Sequence, residues 1–232
     1  MARGGDAMAP TRAGATALRA NAARYKARTI GTGTPTGFIG GDTLRAFRPK
    51  PLPGSVIRPL FTTFGDRLEA FIKANPSPSR VAFDAFHAEE VLEFHAAVTS
   101  GGVWSAGRDG DLPDGSSYNV YAKVLNLIHT HWCHRRAPGF PKGRHPIGGP
   151  IDQCLHVPID SRVAMGVKPL IIEGDLPRIA APMFSPRARK MSAWIAMTSI
   201  RTKADYDAFA SYFRDVSDSI GLTAVEAFEG FW

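Results

Sequence analysis

An all-α fold follows from three features of the sequence. Apolar residues recur at helical spacing from about residue 56 onward, alternating strand patterns are nearly absent, and capping signatures stand just before two of the apolar stripes. With 232 residues, 44% of them apolar and 21% charged, the chain can bury a core without disulfide staples. No apolar run approaches the roughly 18 residues that crossing a bilayer requires, so no membrane span is expected.

Two units are expected along the chain: a basic arm and connector over residues 1–55, and a helical body over 56–232. The first 28 residues carry Arg3, Arg12, Arg19, Arg24, Lys26 and Arg28 against Asp6. That composition is shared by transit peptides, and a mobile or helical basic arm is the preferred reading. The stretch "ARTIGTGTPTGFIGGDTLRAFRPKPLPGS" is crowded with Gly, Thr and Pro and reads as an irregular connector. Its "GTGTPTG" lacks the GK[ST] that a phosphate-cradling loop requires.

Within the body, Leu60, Phe64, Leu68 and Phe71 share one helical face. His87, Val91, Phe94 and Val98 mark a second helix, and Tyr121, Val124, Leu125, Ile128 and Trp132 a third. Near the end, Tyr206, Phe209, Phe213, Val216 and Ile220 step by three and four behind a box formed by Thr202 and Asp205. Thr223 with Glu226 opens a last helix that runs towards Phe231 and Trp232. These stripes read as core, and no cofactor is assigned to them.

The formal charge of +7 points to a polyanionic partner, since phosphates attract Lys and Arg without demanding any sequence. Cys133 and Cys154 are the two cysteines, and no secretory pattern is present, so a cytoplasmic location is the default. A monomer is expected.

Three constellations carry chemistry. The first, "HTHWCHRR" with "QCLH", supplies His129, His131, Cys133, His134, Cys154 and His156, but its spacing fits no familiar zinc pattern, and no metal is assigned. The second is the run of Arg135, Arg136, Lys142, Arg144, Arg187, Arg189 and Lys190 in Pro- and Gly-rich loops, which suits contact with a phosphate backbone or plain solvation. The third is "HVPIDSRVAMG", in which Asp160 stands at the mouth of a helix. An aspartate there is a good N-cap, and a helix start also favours an ionised carboxylate. Capping and catalysis are therefore compatible readings of one residue.

Upstream, "DLPDGSSYNVYAKVLNLIHTHW" places a Leu-Pro turn with Gly115 before a helix starting near Tyr118. Taken with Val124-Leu125-Asn126 and with Pro158-Ile159-Asp160-Ser161-Arg162-Val163, this order resembles the helix-hairpin-helix DNA glycosylase superfamily over residues 100 to 170. More particularly it resembles bacterial glycosylase-like proteins with a K-x-x-N helix, an H-[IV]-P-[IL]-D-S segment and a final helix ending in Trp. Lys123, Asn126, His156, Asp160, Tyr206 and Trp232 fit that pattern. That group includes anti-phage enzymes that remove glucosylated hydroxymethylcytosine and enzymes of thymine hypermodification.

The resemblance implies a helix-hairpin-helix fold and a cofactor-free, monofunctional DNA glycosylase acting on a flipped-out modified pyrimidine in double-stranded phage DNA. Asp160 takes the catalytic role, with Lys123 beside it. Gly115, Ser116, Ser117, Tyr118, Asn119, Arg162, Arg135 and Arg136 would hold the DNA, the first five through the hairpin. Asn126, Trp104, Trp132 and His156 would form the base pocket, with Tyr118 and Trp194 as further stacking candidates. The position at which lyase-competent members carry a nucleophilic lysine falls on Asn119, one turn before Lys123. Two alternatives stay open: a transferase acting on an activated thymine in DNA, and a non-catalytic basic DNA-binding module in which Asp160 is only a cap.

Overall fold

The structure, a computed structural model, describes residues 9–28, 44–100, 104–107, 109–135, 139, 143–160, 163 and 200–228. It is mostly helical. Among the described residues there are six helices: α1 (Arg12–Arg28), α2 (Gly54–Ala74), α3 (Arg80–Thr99), α4 (Tyr118–His134), α5 (Lys203–Asp218) and α6 (Ala224–Phe228). Two short strands, β1 (Phe47–Arg48) and β2 (Ser105–Ala106), pair antiparallel with Phe47 opposite Ala106.

Capping residues set the helix starts. Ser79 accepts from the Ala82 amide at the start of α3, and Thr202 accepts from the Asp205 amide at the start of α5. Before α6, the Glu226 amide donates to Thr223 Oγ1 while the Thr223 amide donates to Glu226 Oε2, a reciprocal capping box.

Every residue of α4 is buried, and α2, α3 and α5 pack around it. A helix so enclosed has no solvent face, so its polar side chains must find partners inside the protein. Gly65 of α2 makes the closest approach: a Cβ there would lie 2.1 Å from the Trp132 ring of α4. Phe61 tilts against the same ring at 5.8 Å.

The expected arm contains α1, which lies on α6 and enters the common core through Leu18 and Tyr25. Asn21 Nδ2 donates to Ala227 O at 2.7 Å, and Lys26 pairs with Glu226 at 2.8 Å. The expected irregular connector holds β1 among its described residues.

Candidate active site

The polar face of α4 meets the extended segment that ends at Asp160. Asn119, Lys123 and Asn126 stand at i−4, i and i+3 relative to Lys123, a spacing that places three side chains on one helical face. Asn126 Nδ2 donates to Val157 O at 3.0 Å, and Asn119 Nδ2 donates to Ile159 O at 3.0 Å. Between them, Lys123 Nζ donates to Asp160 Oδ2 at 2.8 Å. The three contacts form a ladder that fixes the backbone on which Asp160 is carried.

Asp160 uses its two oxygens differently. Oδ1 accepts from the Val163 amide at 3.1 Å, the N-cap pattern, while Oδ2 faces the ammonium of Lys123. Lys123 is 4% exposed and Asp160 7%, so the pair sits in a low-dielectric setting at the edge of solvent access. There the Coulombic coupling of the two groups is several-fold stronger than in water.

A second polar chain runs from Asn126 to the surface. Its amide nitrogen also donates to Tyr206 Oη at 2.8 Å, and its Oδ1 accepts from His87 Nε2 at 2.7 Å. Since Tyr206 already accepts from Asn126, its own hydroxyl proton points to His156 Nδ1, 2.8 Å away. His156 then carries its proton on Nε2, which donates to Asp84 Oδ1 at 2.8 Å. Arg214 forks onto the same carboxylate at 3.0 and 2.5 Å. Burial raises the Asp84 carboxyl, but the hydrogen bonds from His156 and Arg214 outweigh it and hold the group well below the usual carboxylate range. Burial lowers His87 and His156 and keeps both rings neutral. The ring of His87 stacks on Tyr206 at 5.6 Å with an interplanar angle of 4°.

The hairpin residues take a different role from the one expected. Gly115 adopts φ +76 in a turn whose amide donates to Leu112 O at 2.8 Å. The Ser116 amide donates to Asp114 Oδ1, the Ser117 amide to Ala106 O and the Tyr118 amide to Arg201 O. Ser116, Ser117, Tyr118 and Asn119 are all buried. These four amides, Gly115 to Tyr118, are therefore engaged within the chain and do not face outward to hold a phosphate. Asn119, expected on the DNA, is a rung of the ladder instead. Asp114 ties the turn to α3 through His95 Nε2 at 2.8 Å.

The expected base pocket is only partly assembled. Asn126 and His156 lie in one network beside the Lys123–Asp160 pair. Trp132 does not join them: it is wedged against Gly65, more than two turns further along α4, with the Arg144 guanidinium 3.9 Å from its ring centroid. Trp104 stands just before β2, with the Lys50 ammonium 5.9 Å from its ring. Tyr118 packs on Tyr206 at 5.3 Å, inside the core. Arg135 is half-buried at the C-cap of α4. Arg136, Ser161, Arg162, Lys142, Arg187, Arg189, Lys190, Trp194, Phe231 and Trp232 lie outside the described residues.

The His/Cys constellation disperses. His129 sits among Phe83, Phe86 and His87, and burial lowers it to about 3. Among the described residues no three His, Cys, Asp or Glu side chains converge as metal ligands. His134 instead meets Asp152, with Nε2 and Oδ1 3.3 Å apart and both side chains fully enclosed.

The resemblance names Asn126, His156 and Tyr206, whereas periodicity places His87 in the core and nothing in the sequence singles out Asp84 or Arg214. The link from Asn126 to Asp84 is invisible in the sequence because its partners come from four separate segments. No family model matches the chain, and no curated protein or solved structure matches it. No helix among the described residues is long and apolar enough to cross a membrane.

Proposed function

We propose that this protein is a helix-hairpin-helix-type DNA N-glycosylase that excises a modified pyrimidine, a glucosylated hydroxymethylcytosine of phage DNA, and leaves an abasic site. The observation that carries this reading is the buried contact of Lys123 Nζ with Asp160 Oδ2 at 2.8 Å, held between two asparagine rungs. Departure of a base leaves positive charge on the sugar. A carboxylate fixed beside C1′ stabilises that charge and orients the attacking water. Asp160 fits because the cap bond on Oδ1 and the Lys123 contact on Oδ2 together fix the orientation of its carboxylate. The target nucleotide must leave the stack to reach it, at a cost of a few kcal/mol that a modified or weakly paired base lessens.

One observation favours a second reading of the same site. The amine that touches the carboxylate belongs to Lys123, whereas Asn119 is committed to Ile159 O. In this reading Asp160 takes a proton from Lys123, whose Nζ attacks C1′. The C1′–N bond breaks as the base leaves with a proton, the C1′–O4′ bond then opens as Nζ gives up a second proton to leave a protonated lysine–sugar imine, and loss of a C2′ proton from that imine expels the 3′ phosphate. The transferase alternative uses the same pair with an external amine as the nucleophile.

The test uses duplex DNA from phages bearing different modified pyrimidines, with strand breaks counted before and after alkali. Wild-type protein should produce alkali-labile sites, and Asp160→Asn should lower their rate by at least about 10²-fold while still binding DNA. Undiminished cleavage by Asp160→Asn would sink the assignment. Breaks that form without alkali, are trapped covalently by borohydride and vanish in Lys123→Gln would select the lysine as nucleophile.

A further inference from the structure

The engaged hairpin amides leave the phosphate backbone to be held elsewhere, and the rigid N-terminal helix offers the surface. We infer that the outer face of α1, carrying Arg12, Arg19 and Arg24, is a DNA-backbone contact surface; the inference rests on the DNA reading above.

The sequence of α1, RAGATALRANAARYKAR, contains no acidic residue. Its inner face is fastened by Leu18, Ala22 and Tyr25 in the core, by Asn21 on Ala227 O, and by Lys26 on Glu226. Lys26 is thereby neutralised. Arg12, Arg19 and Arg24 remain exposed on the other side, with Ala13, Ala20 and Ala23 exposed between them. Small side chains between arginines let a strand approach the helix while the guanidinium groups reach its phosphates. Arg12 and Arg19 lie two turns apart, about 10 Å at 1.5 Å per residue, close to the axial rise of three nucleotides in one strand.

Placement also agrees. Tyr25 Oη bonds His134 Nδ1 at 2.5 Å, which sets the last turn of α1 against the last turn of α4. From there Lys123 is about 16 Å back along α4, roughly five nucleotide steps. The helix α3 has the opposite character: Asp84 and Glu90 are paired with Arg214 and Arg67 and Arg80 with Asp218, which leaves Glu89 and Glu93 as its exposed charges. A polyanion is thus drawn to the α1 side and repelled from α3. Because α1 is anchored, the arginines meet the phosphates without first ordering a flexible tail, so less affinity is lost to conformational entropy.

The test compares the full chain with its Arg12→Ala/Arg19→Ala/Arg24→Ala variant, measuring binding to unmodified duplex DNA across a salt series. Each lost phosphate contact should lower the slope of log K against log salt by about 0.9, so the slope should fall by about 2 to 3 with an unchanged melting temperature. Replacing the same three arginines by lysine should keep the slope. Equal slopes for wild type and the alanine variant would overturn the α1 surface while leaving the DNA reading standing. Absence of salt-dependent binding by wild type would overturn both.

Discussion

Two carboxylates from the segment before α5 meet two basic side chains on the same helix, and the two pairs differ in kind. Asp160 meets Lys123 in the middle of α4, and Asp152 meets His134 at its end. The first pair keeps slight contact with solvent, whereas the second keeps none. Asp152 is also bound by the Gly148 amide at 2.8 Å and by Thr223 Oγ1 at 3.1 Å, while Tyr25 closes on the far nitrogen of His134. Burial raises Asp152 to about 7 and lowers His134 to about 4, so each leans towards its neutral form. A pair that becomes neutral avoids the cost of burying charge and suits a structural joint. A lysine facing a carboxylate at the edge of solvent sets an amine opposite a carboxylate oxygen, which suits chemistry at a sugar. Enclosure, more than residue type, separates the joint from the candidate site.

The largest effect should come from breaking the first pair on one side only. Lys123→Met leaves Asp160 buried beside an apolar chain, and loss of one partner of a buried pair costs about 3–5 kcal/mol. The double variant Lys123→Met/Asp160→Leu removes both charges and should recover most of that stability in urea unfolding. Neither variant should release a base. A double variant as unstable as the single one would mean that the carboxylate was serving its own helix, through Val163, more than it was serving Lys123.

A smaller effect, of opposite pH character, should come from the second pair. Between pH about 4 and 6.5 the folded pair holds one proton, on Asp152, and the unfolded chain also holds one, on His134. The pair therefore adds no pH slope to stability there. Between 6.5 and about 7 the folded state still holds a proton that the unfolded chain has lost, so stability falls as pH rises. Asp152→Asn deletes the carboxyl and leaves only the depressed histidine. The unfolded state then binds the extra proton from about 4 to 6.5, and stability should rise by about 1.4 kcal/mol per pH unit more steeply than in the wild type across that window. Urea midpoints that change equally in variant and wild type between pH about 4.5 and about 6.0 would contradict the assignment of the proton to Asp152.

Much of this frame was legible before any coordinates. The stripes of α2 to α5 and the reciprocal box at Thr223 depend on local spacing, which a sequence displays directly. The position of Asp160 at a helix mouth was legible for the same reason, and so was the common face of Lys123 and Asn126. What could not be read was what that face touches: the rungs end on backbone carbonyls of Val157 and Ile159, and a carbonyl has no residue-type signature. What the hairpin amides meet is hidden on similar grounds. Its turn and helix start were visible, but the carbonyls of Ala106 and Arg201 that take its amides come from elsewhere in the chain. Trp132 belongs both to the apolar stripe and to the expected base pocket, because an aromatic ring suits packing as well as stacking. The notch at Gly65 that claims it lies on another helix.

The mildest break in the comparison is Tyr25→Phe, which keeps the ring and deletes only the hydroxyl that bonds His134 Nδ1. One buried hydrogen bond is lost and one ring nitrogen is left without its partner, a cost of about 1–2 kcal/mol. The loss should be local, because α1 is also held by Asn21 on Ala227 and by Lys26 on Glu226. Amide exchange should therefore quicken in the last turns of α1 while the middle of α4 around Lys123 keeps its protection. Exchange that quickened equally in both places would mean that the two pairs share one cooperative unit, and that the joint at His134 bears directly on the geometry at Asp160.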